Sequence, residues 1–205
     1  MRPRAPIARR VAQGPRLTLL ALVLGALSTA CASSPYFDIQ ERWTRKADAY
    51  VDLSAAALIA ATLKVEPFRR AYVDEYARLF ELTPEQKVSL LEAELEEERQ
   101  TLTVIVAFYT ADPAWNDLNP ARGMWEVRLE SGRGDTVQPF SVTRLDKRNP
   151  TWRTLYPFYE QHHVLYELRF ERMLPDGRPI ARGGEALALV IAGAPARVRL
   201  RWTIP

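Results

Sequence analysis

Short segments in which apolar and charged residues alternate dominate the chain after residue 100. Trp125, Val127 and Leu129 alternate with charged residues, and residues 164–171 and 197–204 repeat the pattern. Period-two alternation is typical of strands that bury one face and wet the other. We therefore expect these three residues to be buried and Glu126 and Arg128 to be exposed. In the last segment we expect buried Val198, Leu200 and Trp202 to alternate with exposed Arg197, Arg199 and Arg201.

Two continuous apolar runs, residues 101–109 and 186–193, have the composition of central strands. Weaker strand patterns cover residues 136–145 and 151–159. Turn-forming sequences such as "SGRGD", "PDGRP" and "AGAP" separate the segments. Several short strands divided by turns predict a chain that is mainly β with α, folded as an antiparallel β-sandwich of the immunoglobulin-like type.

Residues 66–99 depart from this pattern and predict a helical hairpin inserted near the N-terminal side of the sandwich. Phe68, Tyr72 and Tyr76 recur at helical spacing in its first half, and Pro67 suits the first turn of a helix. Only a few residues separate the two halves, so we expect an antiparallel helix pair.

The second helix of the hairpin opens with Thr83 and Gln86 in a capping-box pattern. We expect Val88, Leu91 and Leu95 to form its apolar stripe. The acidic run that follows fits an acidic docking surface or, as we expect, a solvated helix face. This run comprises Glu94, Glu96, Glu97 and Glu98.

Residues 51–64 support two interpretations. The odd-numbered residues from Val51 to Leu63 are all apolar, which indicates a strand, whereas the many alanines favour a helix. We choose the strand, because an apolar series of this length at period two rarely arises by accident.

The N-terminal residues have the organisation of an export signal. Five arginines and no acidic residue precede an apolar run over residues 17–30. This run is shorter than the about 20 residues that a bilayer-spanning helix needs. A basic region, a short apolar region and small residues at its exit predict a signal peptide at residues 1–30, with a short membrane anchor or a buried helix as the alternatives.

Leu27, Ser28, Thr29, Ala30 and Cys31 resemble the lipobox of bacterial lipoproteins, although Ser28 stands where that motif prefers Leu. The resemblance implies that the thiol of Cys31 receives a diacylglycerol, and that its amino group is acylated after cleavage. Ser28 and Ala30 also suit ordinary signal cleavage, which would leave the only cysteine as a free thiol. An odd cysteine in an exported protein needs an explanation, and lipidation supplies one.

Ala32 occupies the position after the cysteine, and an Asp at this position would indicate a different membrane destination. By resemblance to Gram-negative lipoproteins, this implies a lipid-anchored protein on the outer membrane, facing the periplasm; the inner membrane and the soluble periplasm are the alternatives. We expect the lipidated cysteine and a short tether at residues 31–35, followed by a single domain over residues 36–205.

The basic charge of the whole chain comes from its leader. The leader holds five of the 28 basic residues and none of the 25 acidic ones, so the remainder carries 23 basic and 25 acidic residues. A nucleic-acid partner is therefore not indicated, and we expect no cofactor. We also expect no metal, because His162 and His163 are the only histidines and neighbours in a strand point to opposite faces.

The loop over residues 112–123 is the most distinctive candidate for binding. Asp112, Asn116 and Asp117 supply oxygen atoms, and Trp115 supplies an aromatic surface. The loop fails the EF-hand template, because Asp117 stands at the sixth position where that template needs Gly. Its residues fit Asx turns around a buried Trp or, alternatively, a binding loop.

The arginines at 197, 199 and 201 form a basic stripe on one strand face. We expect them to pair with Glu167 and Glu171 on a neighbouring strand, because opposite charges stabilise cross-strand pairs. Recognition of an acidic partner or lipid is the alternative.

The chain contains no nucleophile elbow, Walker loop, dinucleotide fingerprint or H-E-x-x-H motif. We therefore expect no catalytic residue and a non-catalytic structural or binding role at the cell envelope. The expected partners are the membrane, through the lipid on Cys31, and a protein or another envelope component. A periplasmic hydrolase with a dispersed active site is the alternative.

Overall fold

The structure, a computed structural model, describes residues 34–205. The predicted signal peptide and Cys31 lie outside the described residues. The helices are α1 (Pro35–Trp43), α2 (Glu66–Leu79), α3 (Pro84–Gln100) and α4 (Thr151–Leu155), with a short 3-10 helix at Pro113–Trp115. The strands are β1 (Thr44–Val51), β2 (Ser54–Leu63), β3 (Thr101–Tyr109), β4 (Glu126–Ser131), β5 (Thr136–Val137), β6 (Pro139–Arg144), β7 (Val164–Glu171), β8 (Ala186–Ala192) and β9 (Arg197–Thr203).

The described strands form two antiparallel sheets that contribute to one hydrophobic core. The first sheet has five strands in the order β1-β2-β3-β7-β6, and the second has four in the order β5-β4-β8-β9. Phe108 of β3 and Trp125 beside β4 belong to the same core cluster, and their rings meet edge to face at 5.3 Å. The chain is therefore mainly β with helices, as the alternating segments predict.

The alternating segments are strands with nearly the expected burial. Trp125, Val127 and Leu129 are buried and Glu126 is exposed. Arg128 differs from the prediction because it is half-buried: its guanidinium lies 3.2 Å from Glu126 and 2.9 Å from a Glu130 oxygen on the same outer face. The expected division in β9 is confirmed for all six residues that alternate there.

Strand β3 is covered on both faces, which explains its continuous apolar run. Every residue from Thr101 to Phe108 is buried. The Thr103 side of the strand meets the helices, because the Thr103 hydroxyl bonds to Arg69 and Glu97. The Phe108 side meets the second sheet through Trp125.

The predicted helical hairpin is confirmed as α2 and α3, which connect the neighbouring strands β2 and β3. Thr83 Oγ1 accepts the Gln86 N–H at 3.3 Å, and Gln86 Oε1 accepts the Thr83 N–H at 2.9 Å, which completes the capping box. The predicted apolar stripe is wrong at Val88, which is 55% exposed. Leu91 and Leu95 are only half-buried, so apolar contacts alone do not hold α3 in place.

The strand predicted over residues 151–159 is wrong, because Thr151–Leu155 forms helix α4. Asn149 Oδ1 accepts the Thr151 N–H at 3.0 Å and starts the helix from the preceding turn. Tertiary contacts then hold the helix: Leu155 is buried, and its carbonyl accepts the Tyr36 hydroxyl at 2.6 Å.

The strand interpretation of residues 51–64 is confirmed for Ser54–Leu63. The apolar series nevertheless crosses a turn, because Val51 ends β1 and Leu53 has a fully exposed side chain. Helix α1 and strand β1, which the periodicity does not predict, precede this turn. Ser34 Oγ accepts the Tyr36 N–H and caps α1, so the folded unit begins within the segment assigned to the tether.

The basic stripe of β9 pairs differently from the prediction. Arg199 and Arg197 contact Glu130 of β4, the latter at 3.7 Å. Glu167 and Glu171, the predicted partners, lie in the other sheet. Strand β8 separates β9 from β4, and its outward side chains are short and apolar, so the arginines reach across it.

No helix within residues 34–205 has the length and apolar composition needed to cross a bilayer.

The β1–β2 turn offers a test of backbone strain. Leu53 has a φ of 66° and a fully exposed side chain, so its left-handed conformation gains no packing. Leu53→Gly should raise the free energy of unfolding by about 0.5–1 kcal/mol, because glycine adopts this conformation without a Cβ clash. Urea unfolding measures the change. Val51→Gly, in the adjacent strand, is the control and should lower the free energy of unfolding; a loss at both positions would contradict the strain argument.

Candidate functional site

The loop between β3 and β4 uses its acidic side chains to build turns. Asp112 Oδ1 accepts the Ala114 N–H at 2.9 Å, and Asp117 Oδ1 accepts the Asn119 N–H at 2.9 Å. Gly123 closes the loop at a point where a Cβ would lie 2.3 Å from the Asp117 carbonyl oxygen. Asx turns therefore account for the positions of both carboxylates.

The other two predicted residues of this loop do not converge on a common point. Trp115 is half-buried, and its main-chain carbonyl accepts Trp125 Nε1–H at 2.7 Å. Asn116 is half-buried too, and its Oδ1 is buried without a hydrogen-bond partner. The Tyr166 hydroxyl lies 3.4 Å from the Asn116 carbonyl and 3.4 Å from Asp117 Oδ1. Tyr166 thus ties the middle of the loop to β7.

The two histidines lie in the loop before β7, where their rings stand 6.3 and 5.9 Å from the Tyr109 ring. Burial lowers the pKa of His163, and its Nδ1 is buried without a hydrogen-bond partner. Within residues 34–205, no group of three His, Cys, Asp or Glu side chains is arranged to hold a metal ion.

The acidic run of α3 faces the protein, which corrects the prediction of a solvated face. The side chains of Glu94, Glu97 and Glu98 are 12%, 24% and 13% exposed, whereas Glu96 is 53% exposed. Glu94 and Glu97 turn inward because Arg69 of α2, whose side chain is fully buried, lies within reach of both.

Arg69 joins both helices of the hairpin to the first sheet. Its Nη1 contacts Glu94 and donates to Glu97 Oε2 at 3.1 Å, and its Nη2 donates to Thr103 Oγ1 at 3.3 Å. Its Nε donates to the Lys64 carbonyl at 3.0 Å. A buried guanidinium is stable only when its donors are paired, so these contacts determine where α2, α3 and β3 meet.

The same two glutamates hold two further cations. Lys64 Nζ lies 3.0 Å from Glu94 Oε2, and Arg169 Nε lies 3.3 Å from Glu97 Oε1. Burial opposes ionisation of Glu97, but Lys64 and Arg69 outweigh it and lower the pKa of Glu97 below its usual value. The resulting stabilisation is complete above about pH 4.3, the pKa of an unfolded Glu, and is lost as the pH falls toward the lowered pKa.

A cleft of about 280 Å³ opens beside this cluster, between the helices and the first sheet. Glu167 of β7 joins the charged residues of its wall, and Tyr72, Trp152 and Tyr156 supply aromatic rings. Burial, with a smaller contribution from nearby groups such as Tyr36, raises the pKa of Tyr156 well above its usual value, so this phenol is neutral. The cleft therefore offers charges, hydrogen bonds and ring faces to a small polar ligand.

Larger clefts lie elsewhere among residues 34–205, and two of them border segments discussed above. One of about 450 Å³ lies under the β3–β4 loop and is lined mainly by apolar residues, including Leu118, Met124 and Trp125. The four predicted binding residues of that loop do not line it. The other, of about 730 Å³, lies between α1, β1 and residues 157–160.

The sequence contains an indication of the ion pairs between Arg69, Glu94 and Glu97, although the periodicity of α3 alone does not reveal it. Arg69 stands three and seven positions before Tyr72 and Tyr76, so it lies on the buried stripe of α2. A cation on such a stripe needs buried carboxylates, and the neighbouring helix carries six glutamates. No protein-family model matches the chain, and no curated protein matches it significantly.

Arg69 and Arg70 form a matched pair for testing the cluster. Arg69→Met leaves Glu94 and Glu97 without their shared cation, so the free energy of unfolding should fall by about 3–5 kcal/mol. Arg70→Met removes only an exposed pair with Glu66 and should cost less than about 1 kcal/mol. Urea unfolding at neutral pH measures both variants. Equal losses would mean that the cluster does not hold the hairpin to the sheet.

Trp115 and Trp125 form a second matched pair. The contact between them uses the Trp115 carbonyl, so it survives Trp115→Ala. This variant should lose less than about 3 kcal/mol, whereas Trp125→Ala, at a residue that is 3% exposed, should lose about 3–5 kcal/mol. Thermal and urea unfolding give the values. A loss at Trp115 that equals the loss at Trp125 would place its ring in the core and remove it as a binding residue.

Proposed function

We propose that this protein is a membrane-anchored envelope lipoprotein whose folded domain has a non-catalytic structural or binding role. One observation carries the proposal: Ser34, which caps α1, stands three positions after the only cysteine of the sequence. A cysteine between an export-type leader and the cap of the first described helix is well placed to carry an anchor.

The short connection keeps the domain at the membrane surface. Three residues of extended chain span at most about 10 Å, so Ser34 lies within that distance of the lipidated residue. Each buried methylene contributes about 0.8 kcal/mol and one myristoyl chain binds only marginally, but the three chains that the lipobox resemblance implies anchor the protein stably. The residue after the cysteine, Ala32, favours the outer membrane and a domain that faces the periplasm.

The charged cleft supports binding rather than catalysis as the role of the domain. Its inner carboxylates, Glu94 and Glu97, are each engaged by cations, so they hold the site in shape. A site that is charged, partly aromatic and built on helices and strands suits recognition of a small molecule or of a polar group on an envelope component.

We also propose that the two sheets form a sandwich of the immunoglobulin-like type. The two antiparallel sheets and their common core support this arrangement. In aligned sandwiches the strand directions of the two sheets differ by about 30°. An experimental structure with sheets crossed near 90° would therefore contradict the proposal.

Cys31→Ser tests the anchor. In a Gram-negative expression host, the variant should appear in the soluble periplasmic fraction or accumulate as an unprocessed precursor, because no thiol is available for the lipid. Membrane fractionation, intact mass and palmitate labelling measure the outcome. Ala32→Asp is the matched variant: it keeps the lipid and should shift the protein to the inner membrane. A Cys31→Ser protein that stays membrane-bound at mature size would overturn the anchor.

A further inference from the structure

Glu167 differs from the other charged residues of the cleft because its side chain has no ion-pair or hydrogen-bond partner within residues 34–205. It projects from β7 on the same face as Ile105 of β3, its neighbour across the sheet, which also lines the cleft. Its charge acts on Tyr72 and Tyr156, where burial is the main cause of the raised pKa and Glu167 adds to it. An unpaired carboxylate therefore faces aromatic rings across the cleft.

The paired charges leave the cleft electrically divided. Three cations, Lys64, Arg69 and Arg169, share two carboxylates, Glu94 and Glu97. That side of the cleft carries one positive charge in excess, and Glu167 supplies the matching negative charge without contacting it. The three cations and the three carboxylates therefore balance, and Glu167 is the one carboxylate of the three without an ion-pair partner among residues 34–205.

The aromatic side of the cleft is suited to an ammonium group. Lys64 Nζ lies 5.1 Å from the centroid of the Tyr72 ring, so a cation of the protein itself already makes the cation–π contact at this ring. Trp152, which is half-buried, supplies a further ring, and its centroid lies 6.3 Å from that of the buried Tyr156. Several rings beside a carboxylate form the usual environment of bound ammonium groups.

The positive side of the cleft retains donors for an anion. Arg169 Nε lies 3.3 Å from Glu97 without hydrogen-bond alignment, and it is buried without another partner. The side chain is 36% exposed, and its guanidinium carbon stands 5.7 Å from the Phe140 ring. Arg169 is two positions after Glu167 on the same strand face, so their Cα atoms are about 7 Å apart. The planar guanidinium of a partly exposed arginine can donate two parallel hydrogen bonds to a carboxylate.

We propose that this cleft binds a small zwitterion of the amino-acid or betaine class. The ammonium group lies between Glu167 and the Trp152 ring, and the carboxylate lies against Arg169. A simple organic cation would leave the positive side unmatched, and a simple anion would leave Glu167 unpaired, whereas a zwitterion compensates both. This inference rests on the binding role proposed above and names its ligand class.

Isothermal titration calorimetry on the detergent-extracted full-length protein tests the proposal. The probes are glycine betaine and L-valine, which carry both charges, and choline and propionate, which carry one each. At least one zwitterion should bind with a Kd below about 1 mM, and both single-charge probes should bind at least about tenfold more weakly. Absence of binding by both zwitterions, or equal binding of choline or propionate, would overturn the proposal.

Glu167→Gln removes the charge and keeps the shape, so it should weaken zwitterion binding at least about tenfold. Glu171→Gln is the matched control, because Glu171 lies on the same face of β7 but is exposed and outside the cleft. It should bind as the unmodified protein does. Glu167→Asp keeps the charge and should bind better than Glu167→Gln. Unchanged affinity in Glu167→Gln would overturn the role of this residue and the proposal with it.

Circular dichroism melting establishes that each variant is folded before titration. Because Glu167 has no partner to lose, its substitution should leave the melting temperature nearly unchanged. The titration does not involve Cys31. A titration without zwitterion binding would therefore contradict the proposed ligand class and would not bear on the proposed lipid anchor. The Cys31→Ser result bears on the anchor alone.

Discussion

The buried guanidinium of Arg69 determines how the helical hairpin is attached to the sheet. Helix α3 has no fully buried residue, so apolar burial supplies little of its attachment. Arg69 instead joins α2 to Glu94 and Glu97 of α3 and to Thr103 of β3. Burying ions costs desolvation energy that their attraction only partly returns, so the cluster is poor evidence of high stability. Loss of one partner is far more costly, and the cluster therefore specifies one position of α3.

The cleft is the space beside this attachment. Lys64, Glu94, Glu97 and Arg169, which form the ion pairs around Arg69, also line its wall. Glu167 and the rings of Tyr72 and Tyr156 face that space. The interactions that position the hairpin thus border the cleft that we propose as a recognition site. Helix α1, the first helix of the described residues, begins four residues after the cysteine that we propose carries the lipid.

Predictions from local pattern succeeded where the outcome depends on local backbone geometry. The alternation at Trp125, Val127 and Leu129 specifies one buried face, and the Thr83 capping box is complete within a single turn. Predictions failed where the outcome depends on what packs against a segment. Residues 151–159 have a weak strand pattern, yet the turn at Asn149 and the contact with Tyr36 make their first half a helix.

The sequence by itself determined the mainly β composition, the alternating strands, the helical hairpin and the resemblance of the N-terminal residues to a lipoprotein leader. Only the tertiary structure decided that the glutamates of α3 turn toward Arg69, that the arginines of β9 pair with Glu130, and that Glu167 remains unpaired. The physical reason is distance along the chain. Periodicity reports the geometry of neighbouring residues, whereas ion pairs join residues that only the packing of separate elements brings within reach.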